Sequence, residues 1–353
     1  MSYLAGKIVL AVTAGAPNNG RGETTTTPVK KARVRGQWYP YVSAQAFRRW
    51  LRETMTAMGM VPSPTERVGK AQGKAQKANT SADPIRFADD DLFGYMKAGA
   101  KSADEATTLR DTPFMVGTFM SVEPTRPTED FGVMSRGIPE PVLHAHEFYT
   151  ADLAAPFLLD LPRVGTFTLP DKGGAGRPNY LSADAAMNVA QAVSMGAEAI
   201  TFRGQPAIRL PLPERRERVA LLLEALAELT GGAKKALHYG DRTPALVAMV
   251  PMAGGVNPLG FVIDGAADGS GLQVRGTALR EELRAWQGQW EAPVRLGWRP
   301  GFLERARKEV EHDLADLIDD GGLSIDHPRS MLRDLAEEIR TGQRDTWFDD
   351  RAR

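Results

Sequence analysis

Between residues 18 and 52 the chain gathers side chains that bind anions. Asn18, Asn19, Arg21, Lys30, Lys31, Arg33 and Arg35 fall in a polar loop rich in Gly, Thr and Asn. Ser43, Gln45, Arg48 (or Arg49) and Arg52 follow at helical spacing. Residues 1–36 hold six Lys/Arg against one acid, Glu23, and no Asp precedes Asp83. One-sided charge along such a loop suits a track of phosphates better than a mixed solubilising surface. Ser43 reads as the N-cap of the helix, whose first-turn N–H groups and dipole favour an anion. Arginine forks hold phosphate oxygens bidentately. The repeated anion that fits these features is a nucleic-acid backbone. Arginines on a helix alone would more simply mark a solvated face; the basic loop shifts the balance.

These residues need elements to position them. Residues 7–13 read as an apolar strand. From Ser43 a helix turns Phe47, Trp50, Leu51, Thr54 and Met58 towards a core. Residues 61–82, with Lys70, Lys74 and Lys77, have the composition of an exposed excursion. Asp89, Asp90 and Asp91 are read as a helix start or turn in preference to a cation site. Strands are expected at 114–122 and 142–149. In the latter His144 and His146 share a face, with Glu147 opposite. An H-x-H pair without a third ligand points to structural or RNA-facing histidines. Residues 157–169 look extended, with Pro162 at an edge or bend.

The Gly-rich start of 170–212 lacks dinucleotide-loop spacing. That segment reads as a protrusion, with a helix at 182–195 and a strand at 201–210. Val219, Leu222, Leu223, Leu226 and Leu229 mark an amphipathic helix over 214–230, capped by Gly231 and Gly232 and followed by Lys234 and Lys235. A strand at 245–250 and helices at 277–288, 301–317 and 328–341 complete the chain. Without its insertions the order is β-α-β-β-α-β, an α+β, ferredoxin-like or RRM-like sheet. The aromatic RNA-reading signature of ordinary RRM strands is missing.

The 353 residues are 42% hydrophobic and include no cysteine, which excludes disulfides, thiolate metal sites and a Cys nucleophile. No apolar run approaches the ~18 residues of a membrane span, and no signal-peptide pattern is visible. A soluble cytoplasmic protein is expected, with no membrane partner. Net charge is zero, but residues 1–110 hold 17 Lys/Arg and 9 Asp/Glu, whereas residues 301–353 hold 9 and 14. A basic face and an acidic C-terminal segment would suit head-to-tail stacking of copies.

The order of strand, Asn18-Asn19-Gly20 loop, Lys30-Lys31 and the run 41–54, YVSAQAFRRWLRET, resembles the DevR-type, RAMP-superfamily backbone subunit of type I CRISPR Cascade complexes, type I-B-like. Further signatures are residues 91–96, 109–114, 157–161, Val164-Gly165 and 231–234, so the resemblance spans roughly residues 1–260. It implies a non-catalytic subunit without metal or cofactor that binds crRNA, oligomerises along it and presents it for pairing with target DNA in antiviral defence or RNA-guided DNA targeting. Implied partners are other copies of itself and the large, guide 5′-end and guide 3′-end processing subunits.

The implied architecture is hand-shaped. The palm is formed by residues 1–60, 111–164 and 213–300, the fingers by 61–110, the thumb by 165–212 and a C-terminal helical segment by 301–353. RNA contacts implied are Asn18, Asn19, Arg21, Lys30 and Lys31 from the loop, Ser43, Gln45, Arg48 and Arg52 from the helix, and Lys234 from the Gly-Gly turn. The S-x-Q-x-x-R spacing carries the helix assignments. One rival is an RNA-cleaving backbone subunit of type III kind, which uses an Asp in the corresponding loop; residues 14–42 offer only Glu23. The other is a stand-alone RNA-binding regulator.

Overall fold

A computed structural model describes residues 2–22, 26–68, 77–97, 108–135, 137, 140, 142–169, 185–266, 268–269 and 271–350. Glu23, Lys70, Lys74 and the Gly-rich start of 170–184 lie outside the described residues.

The first strand, β1 (Ser2–Gly15), is longer than residues 7–13 and central. Leu4, Ile8, Leu10 and Val12 face one hydrophobic cluster, and Ala5 and Val9 face a second on the other side. Burial on both faces explains why the strand reads as continuous apolar sequence instead of alternating. Helix α1 (Ala44–Ala57) follows. The expected strand at 114–122 is split into β2 (Phe114–Val116) and β3 (Phe119–Ser121), both paired with β4 (Val142–Asp160). Helix α2 (Leu212–Ala227) then returns the chain to β5 (Leu246–Ala253). β1 lies antiparallel between β4, from Tyr3↔Asp160 to Gly15↔Tyr149, and β5, from Ser2↔Ala253 to Val9↔Leu246. Across the sheet the order is β5, β1, β4, then β3, with α1 and α2 on one face. That is the β-α-β-β-α-β sheet read from the sequence.

Three differences have local causes. β4 continues to Asp160 instead of stopping at 149; its middle is rich in Ala151, Ala154 and Ala155, small residues that fit a strand covered on both sides but give no β signal. Asp160 Oδ1 then accepts from Arg163 N, and with Pro162 this sets one 3-10 turn, Leu161–Arg163, inside the stretch expected to be extended. Two further strands, β6 (Val294–Trp298) and β7 (Leu323–Asp326), extend the sheet beyond β5, β7 running parallel to β6. Helix α3 (Pro328–Arg340) packs along α2, where Arg340 reaches Glu217 and Glu224 at 2.9 Å each. The acidic C-terminal segment therefore contributes a strand, a packed helix and the core side chains Trp347 and Phe348, where only helices were expected. The helix expected at 301–317 breaks at Leu314 into Glu304–Asp313 and Ala315–Asp319.

Within 61–110, strands Thr65–Val68 and Lys77–Thr80 form a hairpin, and a short helix, Ala88–Phe93, carries the three acids. All three are fully buried, and each carboxylate has its own set of donors. Asp89 takes Arg52 Nε at 2.7 Å and Ser63 N at 3.0 Å. Asp90 takes Ser63 Oγ at 2.8 Å and Asp83 N at 3.0 Å, and burial pushes its carboxyl above the usual range. Asp91 takes Arg110 Nη2, Arg218 Nη1 at 2.6 Å and Gly165 N at 2.9 Å. Buried carboxylates persist only when supplied with donors in this way.

Residues 166–209 include a three-stranded sheet of Thr166–Thr168, Gln205–Arg209 and Glu198–Phe202, with the helix Ala185–Ser194 against it. Its small core, Phe167, Ala192, Ile208 and Leu210, is separate from the two large clusters and recruits Ile85. Arg203 ties it to the body by a fork on Asp160 at 2.8 and 2.9 Å. Among the described residues no helix is long and apolar enough to cross a membrane.

Candidate nucleic-acid interface

Ser43 caps α1 as expected: its backbone is extended and its Oγ accepts from Ala46 N at 3.4 Å. Phe47, Trp50, Leu51, Thr54 and Met55 are buried. Met58, expected in the core, lies just beyond the last turn and is exposed, so Met55 takes the inward place. The helix is fed by a hairpin of Lys31–Val34 and Gln37–Val42. Arg35 and Gly36, with φ of 48° and 84°, make the tight turn at its tip, the conformation a two-residue hairpin loop demands. Arg33 and Arg35 are exposed there, and Lys31 Nζ and the Arg33 guanidinium lie over Trp38, 5.6 and 5.8 Å from its ring centre.

The structure divides the loop residues into struts and free cations. Asn18 is buried; its Nδ2 donates to Tyr41 O at 3.3 Å and its carbonyl accepts from Lys30 N at 2.9 Å. Asn19 bridges to Val29, with Oδ1 buried and unpartnered. Lys31 is ion-paired with Glu147, which also accepts from Val29 N at 3.0 Å. Arg21 is exposed and Lys30 half-buried. On α1, Gln45 is exposed, Arg49 pairs with Glu53 at 2.8 Å, and Arg52 pairs with Asp89 while stacking on Phe93. Arg48 differs from both. Its Nε is buried without a partner, and burial and the charge of Arg52 together hold its guanidinium below the usual range. Desolvation and a like charge nearby both disfavour the charged form of such a group.

The Gly-Gly turn meets this surface. Gly231 has φ of 143° and lies against Trp50, where any Cβ would collide with the indole. Thr230 N donates to Thr54 Oγ1 at 3.1 Å, and Ala233 N to Pro17 O at 3.0 Å. A cleft of about 260 Å³ results, lined by Pro17, Asn18, Arg49, Trp50, Glu53 and Gly232 among others. Loop, helix and turn, far apart in sequence, therefore share one wall, with Lys234 just beyond it. On the opposite flank of α1, Arg48 borders a second cleft of about 260 Å³ whose other walls are mainly apolar, including Met115, Pro156 and Phe157.

His144 and His146 share a face as expected, with ring centres 6.5 Å apart. Their third companion carries no signal in the sequence. His146 Nε2 lies 2.7 Å from His238 Nε2, and His238 stacks on Phe148. Burial, His238 and Lys234 hold His146 below the ordinary imidazole range. This contact fastens the segment after Lys234 to β4. Among the described residues no group of three or more His, Cys, Asp or Glu is placed to hold a metal ion.

The arrangement of sheet and helices is shared with proteins of known structure. One chain, from a structure described as a CRISPR RNA-guided surveillance complex, pre-nicking, superposes with a TM-score of 0.55 at 12% identity, covering 96% of this chain and 100% of that one. A second, from a structure described as a CRISPR RNA-guided surveillance complex, gives 0.51 at 14% identity, covering 95% and 98%. Identity at this level shows a common fold. No protein-family profile matches the sequence, and no curated protein matches it.

Proposed function

We propose that this chain is a non-catalytic subunit that binds the backbone of a guide RNA, lines up in copies along it and presents it for pairing with target DNA within a larger ribonucleoprotein complex. The observation that carries this reading is the meeting of loop, α1 and Gly-Gly turn at one cleft, with Arg48 unpaired on the other flank of the same helix. Arg21, Lys30, Arg48, Gln45 and Lys234 contact phosphates and riboses in this reading. Asn18, Lys31 and Arg52 act mainly by holding the loop and helix in place. Sequence-independent contacts suit a protein that must accept any guide, since phosphate contacts position the strand and base pairing specifies the target. Its partners would be crRNA, further copies of itself and the large, 5′-end and 3′-end subunits of the complex. Residues 61–110 act as fingers and 165–212 as a thumb on the palm sheet.

Cleavage of RNA would need a carboxylate at the RNA surface to hold a metal or position the attacking group. Asp89, Asp90 and Asp91 are buried and engaged. Complementary RNA incubated with the assembled complex and Mg²⁺ or Mn²⁺ should stay intact. Metal-dependent cutting lost on Glu23→Ala would overturn the non-catalytic assignment.

Replacing residues 172–200 with a short Gly-Ser linker should leave the monomer folded, because among the described residues the small core there is separate from the two large clusters and takes in Ile85 from the body. It should abolish ordered assembly on RNA and the periodic pattern of nuclease-accessible nucleotides. An unchanged footprint would place the thumb elsewhere in the chain.

A further inference from the structure

Arg242, in the segment leading into β5, is only 4% exposed. Its Nε and Nη2 have no hydrogen-bond partner, and Nη1 makes one long contact, to Asp241 O at 3.3 Å. The nearest carboxylate is engaged elsewhere: Asp241 accepts from Arg299 Nη2 at 2.6 Å and from Thr243. The hydroxyl of Tyr149, which is coupled electrostatically to Arg242, is also buried and unpartnered. The other buried arginines among the described residues are treated quite differently. Arg110, Arg215 and Arg218 each spend several donors on carbonyls, and two of them also hold Asp91. A buried guanidinium without acceptors is among the costlier things a core can contain.

Glycine backbone packs closely around the charge of Arg242. An added Cβ would lie 3.5 Å from Nη2 at Gly15, 3.3 Å from Nε at Gly232 and 2.7 Å from Nη1 at Gly240. Three residues without side chains thus enclose the guanidinium. Gly232 and Pro17 also line the cleft beside α1, so Arg242 stands directly behind its wall. Burial holds the guanidinium below its usual range, with only Tyr149 and Asp241 opposing. A cation kept here unpaired is set to meet an anion arriving from outside.

We infer that Arg242 forms the floor of an oxyanion site, in which a phosphoryl group that parts the Ala233 N to Pro17 O contact takes Nε and Nη2 as paired donors and the Tyr149 hydroxyl as a third. The Nε–Nη2 edge matches two oxygens of one phosphate. The source of the phosphoryl group as RNA rests on the function proposed above; the site itself does not.

The test uses the full chain and two probes, inorganic phosphate and a single-stranded RNA of mixed sequence. Thermal unfolding is followed in phosphate and in chloride of equal ionic strength, for wild type and Arg242→Met. Phosphate should raise the midpoint of wild type and not of R242M, while R242M in chloride is at least as stable as wild type. RNA affinity of R242M should fall about tenfold and the slope of its salt dependence by about one. A phosphate response without RNA binding would keep the site, with free phosphate as its ligand, and remove the RNA reading. An RNA loss without a phosphate effect would keep the site for the polymer alone. If neither response changes in R242M, or if R242M and Arg242→Lys both fail to fold, Arg242 is a structural strut and the site does not exist.

Discussion

Replacing Asp91 by Ala should destabilise the chain by about 3–5 kcal/mol, the cost of removing one partner from a buried ion pair. Its carboxylate faces Arg110 and Arg218, and both guanidiniums are almost wholly buried. Without it, Arg110 would keep only Asp91 O, Thr166 O and Arg163 O, and Arg218 only Pro84 O and Ile85 O. Dipoles alone do not neutralise two buried charges at close quarters. The loss would spread, because Asp91 joins three parts of the molecule: the 61–110 insertion, residues 163–166 and helix α2. Urea unfolding checks this through the midpoint. A shift worth less than about 1 kcal/mol would mean the arginines find other acceptors or reach water. Asp91→Asn, which keeps the volume and one acceptor, should fall between the two.

The second large effect concerns binding. Arg48→Glu should weaken RNA affinity by about 2 kcal/mol, roughly 30-fold, through loss of one charge-assisted contact and its replacement by repulsion. It should also lower the salt slope by about one. Stability should not suffer, since a carboxylate at 48 would stand beside Arg52, whose charge currently opposes Arg48. Arg52→Glu should behave in the opposite way. It would put a carboxylate against fully buried Asp89 and lower stability before affinity. Titration of fluorescent RNA at several salt concentrations, with circular dichroism on each variant, separates the two. Equal affinity of folded R48E and wild type would leave Arg48 with no role in binding.

Adjacent arginines with such different fates mark where sequence reading ends. Spacing placed Gln45, Arg48 and Arg52 on the polar side of α1, because helical periodicity fixes direction. It carried no information on Asp89, which approaches Arg52 from a separate element, or on Glu147, which neutralises Lys31. Asn18 looked like a loop ligand because Asn favours loops, but its amide donates to Tyr41 O, 23 residues on, and ties the loop to the strand before α1. The β-α-β-β-α-β order was legible from apolar runs and the Leu-rich period of α2. β6 was hidden by its shortness, and β7 by a neighbourhood rich in charge. Their pairing depends on β5, not on local propensity. Arg242 and His238 carried no sequence signal at all, since what distinguishes them is the company they keep after folding.

The central place of β1 also has a consequence for synthesis. β1 leaves the ribosome well before both strands that flank it, β4 from Val142 and β5 from Leu246. At about 5–20 residues per second, roughly 10–50 s pass before β5 follows. For that time one edge of an almost wholly apolar segment has no permanent neighbour, and closing so long a loop is intrinsically slow. Nascent chains should therefore depend on a holding chaperone. The basic loop beside β1 would emerge early but take its final shape only after β5 docks, which delays RNA capture until β5 (Leu246–Ala253) has been made.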